Sequence, residues 1–237
     1  MKKIIIPFFC AVLFSTSVAA QQKKPAAKTT AVKTEAVQTE AVKSKLTPKE
    51  VIDNYLKALG GRDKLEAIKT TIIDNTVSVQ GMEVSMTTKK MGNKFKSVQT
   101  VMGQQMTQVF DGEKGTFDQM GQKMDIPADK VAELKKSKTI DALGYDPESF
   151  QSVIVKKMEG RDFNVLSSDK GKYYFDATTN LLYQSESKEG KATVKDYITV
   201  DGLKFPGEVD AEGNGQKVVI KTTKIVLNSG VTDADFK

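Results

Sequence analysis

The sequence predicts an α+β domain that is mostly β, built as one strongly bent antiparallel sheet covered by a few helices. Three observations carry this. From Thr70 onward apolar and polar residues alternate with a period of two, and Gly-centred turns recur at short intervals. One well-capped helix precedes these strands, and a second helical stretch divides them into two runs. Residues 46–237 suffice for one sizeable core, and a bent sheet with helices on its open side is the economical way to bury it.

The 237-residue chain begins with a leader. Lys2 and Lys3 form a positive start, Ile4 to Leu13 is apolar apart from Pro7, and Val18-Ala19-Ala20 makes a small-residue cleavage pattern before Gln21. The apolar run is too short to cross a bilayer core of ~30 Å. Cys10 follows Phe9 rather than the small residue that lipidation requires. Residues 1–20 are therefore expected to be a cleaved signal peptide. The mature chain is expected in the periplasm, not spanning a membrane.

Residues 21–45 read as a flexible linker without aromatics, carrying the pentad repeat Ala31-Val32-Lys33-Thr34-Glu35, Ala36-Val37-Gln38-Thr39-Glu40, Ala41-Val42-Lys43-Ser44-Lys45. A period of five suits neither helix nor strand burial. Leader and linker also explain the basic balance. Of 36 Lys+Arg and 30 Asp+Glu, Lys2, Lys3 and six linker lysines stand against Glu35 and Glu40, which leaves 28 of each sign in residues 46–237. A neutral domain has no electrostatic footprint for nucleic acid. With Cys10 gone and no histidine anywhere, disulfides, thiolate nucleophiles, His-based triads and His or Cys zinc sites are excluded. The expectation is no enzyme, no cofactor and no metal.

Within 46–237, treated as a single domain, Thr47, Pro48 and Glu50 make a capping box, with Leu46 and Val51 as its hydrophobic staple. Val51, Ile52, Tyr55, Leu56 and Leu59 form one apolar stripe, ended by Gly60-Gly61; Leu65 and Ile68 point inward from a short second turn. Strands are expected near 70–79, 82–90, 94–102, 105–111 and 115–120, then a helix near 128–136 and a loop over 144–149. A second run follows near 151–158, 162–168, 172–177, 181–187, 191–199, 203–210 and 216–227.

Seven of the eight mature methionines lie between Met82 and Met124, and two turns repeat a Met-x-x-x-Met spacing, Met102 to Met106 and Met120 to Met124. Flexible, polarisable thioethers fill cores, line adaptable apolar cavities or bind Cu(I), and all three readings stay open here. If the concave face holds a ligand, alternation nominates Val77, Val79, Met82, Val84, Met86, Phe95, Met106 and Phe110 as its lining. The phase of residues 94–110 is ambiguous. The carboxylate pairs Asp111/Glu113, Asp210/Glu212 and Asp233/Asp235 sit beside turn or terminal signals and read as solvated.

The segment Tyr55-Leu56-Lys57-Ala58-Leu59-Gly60-Gly61 resembles the entry helix of LolA/LolB-like outer-membrane lipoprotein-sorting domains of Bacteroidetes-type bacteria. Phe110-Asp111-Gly112-Glu113-Lys114-Gly115, Asp125-Ile126-Pro127, Tyr174-Phe175-Asp176, Val200-Asp201-Gly202-Leu203-Lys204-Phe205-Pro206 and Asn228-Ser229-Gly230-Val231 extend the resemblance over nearly all of 46–237. It implies an open half-barrel sheet whose apolar cavity holds lipoprotein acyl chains. Related domains occur attached to insulinase-type zinc peptidases, but this chain lacks the peptidase's His-rich motif. Two functions follow as expectations. One is a monomeric periplasmic carrier of a lipid or acyl chain. The other is a non-catalytic accessory module for an envelope protein such as an insulinase-type peptidase.

Overall fold

The computed structural model describes residues 42–101, 103–119 and 121–237. The expectations for the leader and for residues 21–41 lie outside the described residues, as do Met102 and Met120. The last positions assigned to the linker are described, and Val42–Lys43 forms a short strand, β1.

Helix α1 (Pro48–Ala58) starts as its sequence requires: Thr47 Oγ1 accepts the Glu50 amide at 3.2 Å, and the Glu50 carboxylate accepts the Thr47 amide at 2.7 Å. The whole expected stripe, Val51, Ile52, Tyr55, Leu56 and Leu59, is buried, and Leu65 of the short α2 (Arg62–Glu66) joins it. Gly60 ends the helix at φ +123°, where a Cβ would lie 2.7 Å from the Gly202 carbonyl oxygen. That close approach docks α1 on the sheet, because the Lys204 amide donates to the Leu59 carbonyl at 2.8 Å.

Strands β2 (Thr70–Val79), β3 (Met82–Met91), β4 (Lys94–Val101), β5 (Gln104–Phe110), β6 (Gly115–Gln119) and β7 (Gln122–Asp125) form one meander. The second comprises β8 (Ser152–Met158), β9 (Arg161–Ser168), β10 (Gly171–Asp176), β11 (Leu182–Ser187), β12 (Lys191–Val200), β13 (Leu203–Gly213) and β14 (Gln216–Leu227). All pair antiparallel in one unclosed 14-stranded sheet ordered β1-β8-β9-β10-β11-β12-β13-β14-β2-β3-β4-β5-β6-β7. The mostly β, bent-sheet fold predicted from the sequence is the fold observed. Because β7 and β8 stand near opposite edges, the connection between them must cross the sheet. It does so through α3 (Ala128–Leu134) and two 3₁₀ turns, Asp141–Gly144 and Pro147–Ser149.

The crossover shares a core with α1. Ile140, Ala142 and Phe150 pack with Val51, Ile52, Tyr55 and Leu56 onto Val153, Leu166, Tyr173, Phe175, Leu182, Leu203 and Phe205. The Tyr145 ring meets Tyr55 and Tyr173 edge-on at 6.0 and 5.5 Å. The face of the sheet that carries this core is the inner face. It continues through Ile225 and Leu227 of β14 to their partners Ile73 and Thr71 of β2.

Three local expectations need correction. Strand β7 was not anticipated, since four exposed residues in a row show no alternation of burial. The stretch 144–149 holds 3₁₀ structure, capped by the Asp146 carboxylate accepting the Glu148 amide at 3.1 Å. Asp233 and Asp235 are not simply solvated. They pair with Lys94 and Lys89 and hold a C-terminal 3₁₀ turn (Asp233–Phe236) whose Phe236 is buried.

Candidate functional site

In a pleated sheet, directly opposed residues share a face, so the register sorts every side chain of the methionine-rich meander. Val77 lies opposite Val84, and Val79 opposite Met82. Asn75, Met86, Gln99, Met106 and Gln119 form one row across β2 to β6. Ile73, Thr88, Ser97, Gln108 and Phe117 form the next, and Thr71, Lys90, Phe95 and Phe110 the one nearest α1. Because Thr71 and Ile73 belong to the inner face, all these rows do. The ambiguous phase of 94–110 is thereby settled: Phe95, Met106 and Phe110 point inward together.

All eight nominated residues therefore lie on one concave-side face. Their burial differs. Phe110, Val84, Met86 and Met106 are 0%, 3%, 6% and 8% exposed, Val77, Val79 and Phe95 are half-buried, and Met82 at the rim is 42% exposed. The same face has members that the sequence reading missed. Val194, Val209 and Ile220 continue the Val77–Val84 row across β12, β13 and β14, giving five β-branched residues side by side. Their alternation was visible. Their position beside β2 was not, because the β14–β2 pairing joins segments far apart in sequence.

Helix α3 straps this face. Glu133 accepts from Lys170 Nζ in the β9–β10 turn at 2.6 Å, and Lys135 pairs with Glu113 in the β5–β6 turn. The Lys135 carbonyl accepts from Asn93 Nδ2 in the β3–β4 turn at 3.3 Å. Further along, Lys90 pairs with Asp141, and Thr139 Oγ1 accepts the Gly92 amide at 2.8 Å. The crossover thus ties the two wings of the sheet together over its inner side.

Burial pushes the phenols of Tyr55 and Tyr197 well above their ordinary range; both stay protonated, and the Tyr197 hydroxyl donates to the Leu182 carbonyl at 2.8 Å. Among the described residues no three acidic side chains converge as a metal site. The two Met-x-x-x-Met spacings each include a residue outside the described set. A cleft of about 340 Å³ opens where β11 and β12 part, lined by Arg161, Asp176, Tyr183, Lys195 and Tyr197 and touching Val194 at the end of the β-branched row. Its charged groups are already engaged: Arg161 stacks on Tyr183, 4.4 Å from the ring centre, and pairs with Asp176 at 3.4 Å, while Lys195 pairs with Asp210 at 3.5 Å.

This fold has counterparts among solved structures. An outer membrane lipoprotein-sorting protein domain from Vibrio parahaemolyticus superposes with a TM-score of 0.55 at 11% identity, over 80% of this chain and 97% of that one. A LolA superfamily protein from Nitrosomonas europaea gives 0.53 at 8% identity, over 81% and 98%. This chain has a LolA-like fold. A DUF1329 family protein from Desulfovibrio piger shares it, with a TM-score of 0.53 at 12% identity, over 81% and 98%. No protein-family model matches the sequence, and no curated protein matches it either. In the LolA-like frame the eight nominated residues occupy the inner face of the half-barrel. Among the described residues no helix is long and apolar enough to cross a membrane.

Proposed function

We propose that this protein is a non-enzymatic carrier or binder of an apolar, lipid-type ligand in the bacterial cell envelope, holding it against the inner face of β2–β5 and β14. The observation that carries the reading is the continuous row Val194, Val209, Ile220, Val77 and Val84, flanked by Met82, Met86 and Met106 on the same face. A sheet face of this composition, strapped rather than sealed by α3, suits acyl chains of varying shape. The fold shared with an outer membrane lipoprotein-sorting protein domain and a LolA superfamily protein supports the same ligand class, and the leader supports an envelope location. No cofactor or metal enters the proposal, and the carrier acts as a monomer.

Native mass spectrometry of the mature protein tests it. Adducts that organic extraction removes are expected, with the chain starting at Gln21. A bare mass, together with no binding of a neutral fluorescent probe, would overturn the carrier reading. An intact Lys2-Lys3 segment in the exported protein would overturn the processing. One observation favours the second reading, an accessory module for an envelope protein such as an insulinase-type peptidase: Val84, Met86, Met106 and Phe110 are covered by the protein's own atoms. Under that reading the face is a filled core, and a protein partner co-purifies in place of lipid.

A further inference from the structure

The inner face of the methionine-rich meander is not uniformly apolar. Between the Val77–Val84 row and the Phe95–Phe110 row lies a belt of neutral hydrogen-bonding side chains, in which Thr88, Ser97 and Gln99 are buried and Gln108 half-buried. Buried polar groups are costly unless satisfied, and the one buried side-chain oxygen without a partner among the described residues, Thr71 Oγ1, lies in the adjoining row of the same face. Thr88 Oγ1 donates to Ser97 Oγ at 3.3 Å, and Gln99 Nε2 reaches only the Met86 thioether at 3.8 Å, a weak acceptor. The half-buried Gln108 side chain makes no hydrogen bond to another described residue and stays open to a ligand or to water.

A solvated surface would explain polar residues, but the composition argues against it. The outer face of the same strands carries charges, including Glu83, Lys89, Lys94, Lys96 and Asp118. Among the described residues the inner face of β2 to β7 carries one charge, Lys90, and Asp141 answers it. Neutral donors and acceptors without a free counter-charge can satisfy an uncharged polar group. They leave a buried carboxylate or phosphate uncompensated.

We infer that the inner face selects an uncharged amphiphile bearing amide or hydroxyl groups at the end of an apolar chain, with Gln99 as the specificity-determining residue and Thr88, Ser97 and Gln108 beside it. This rests on the carrier reading. The apolar rows beside the belt take the aliphatic chain, and the belt takes the polar group at its end.

Displacement of the neutral probe N-phenyl-1-naphthylamine from the mature protein, using four C16 competitors, tests the choice. Monopalmitoylglycerol and N-palmitoylethanolamine should displace it at concentrations about tenfold below methyl palmitate, the worth of one or two net hydrogen bonds. Palmitate at pH 8 should be the weakest. Gln99→Leu should bring the ratio to within about twofold while leaving methyl palmitate unchanged, and thermal melting checks that the variant is folded. Ser97→Ala serves as a milder second variant, expected to move the ratio in the same direction. Equal displacement by methyl palmitate and N-palmitoylethanolamine, strongest displacement by palmitate, or a ratio untouched in both variants would overturn this selectivity and leave the carrier reading standing. Failure of the probe to bind at all would overturn the carrier reading and this inference with it.

Discussion

Met82 and Met86 stand one alternation apart on β3 and share the inner face, so from the pattern alone truncating either to alanine should have the same effect. The structure separates them. Met86 is 6% exposed, sits in the row between Asn75 and Gln99 and accepts the Gln99 amide at 3.8 Å. Removing a buried thioether side chain costs about 2–5 kcal/mol, from lost transfer and the cavity left behind. Taking ~3 kcal/mol, and 2–4 °C per kcal/mol for a domain of this size, Met86→Ala should lower Tm by about 6–12 °C. Met82, at 42% exposure beside the Gln80-Gly81 turn, has far less burial to lose. Of the ~1.5–3 kcal/mol that full burial contributes, about 1 kcal/mol is at stake, or about 2–4 °C. Calorimetry on both variants measures the difference, and probe titration on the same samples reports the site. Met82→Ala should weaken probe binding several-fold while remaining nearly as stable as the parent. Equal Tm losses in the two variants would show that β3 is not seated in this register and would refute the placement of the inner face.

Leu56→Ala should cost about 2–5 kcal/mol in urea melts, since Leu56 lies in the core between α1 and the sheet, whereas Thr47→Ala should cost only about 1 kcal/mol through the lost cap. Gly60→Ala should be clearly more destabilising than Gly61→Ala. Both positions have positive φ, but only at Gly60 does the new methyl meet a backbone oxygen; equal losses would mean that the contact with Gly202 is not rigid. The hydrogen bond from Lys89, with help from the Thr232 amide, holds the Asp235 carboxyl below its ordinary range. A depressed folded pKa stabilises above the unfolded value of about 3.8 and is lost as pH falls through the folded one. The C-terminal turn should therefore loosen in acid below about pH 4, and Asp235→Asn should flatten that limb of a pH–stability profile.

Helix α1 was legible to the residue because its cap, stripe and Gly-Gly stop are local signals that tertiary packing did not override. Most strands were legible because alternation and Gly turns are local too. What the sequence could not show was which strands lie side by side at a distance. Val194, Val209 and Ile220 look like ordinary strand residues until β14 is known to pair with β2. The belt of Thr88, Ser97, Gln99 and Gln108 was hidden for a related reason. Polar residues alternate with polar residues in β4 and β5, so hydropathy does not distinguish inside from outside there, and only the register through Met86 and Met106 does. Phe236 carried no periodic signal at all; ion pairs from Asp233 and Asp235 to β4 and β3 position it.

The pairing of β14 with β2 has a consequence for how such a chain is made. Its central seam joins Thr70–Val79 to Gln216–Leu227, the first long strand to the last. Until the final strand emerges, β2 has an open edge, the two meanders are separate ribbons, and the crossover has no continuous surface to lie on. Contacts so distant in sequence carry a large loop-closure cost and form late. A chain that emerges N-terminus first therefore stays unlocked until its last strand arrives, and the sheet closes only then.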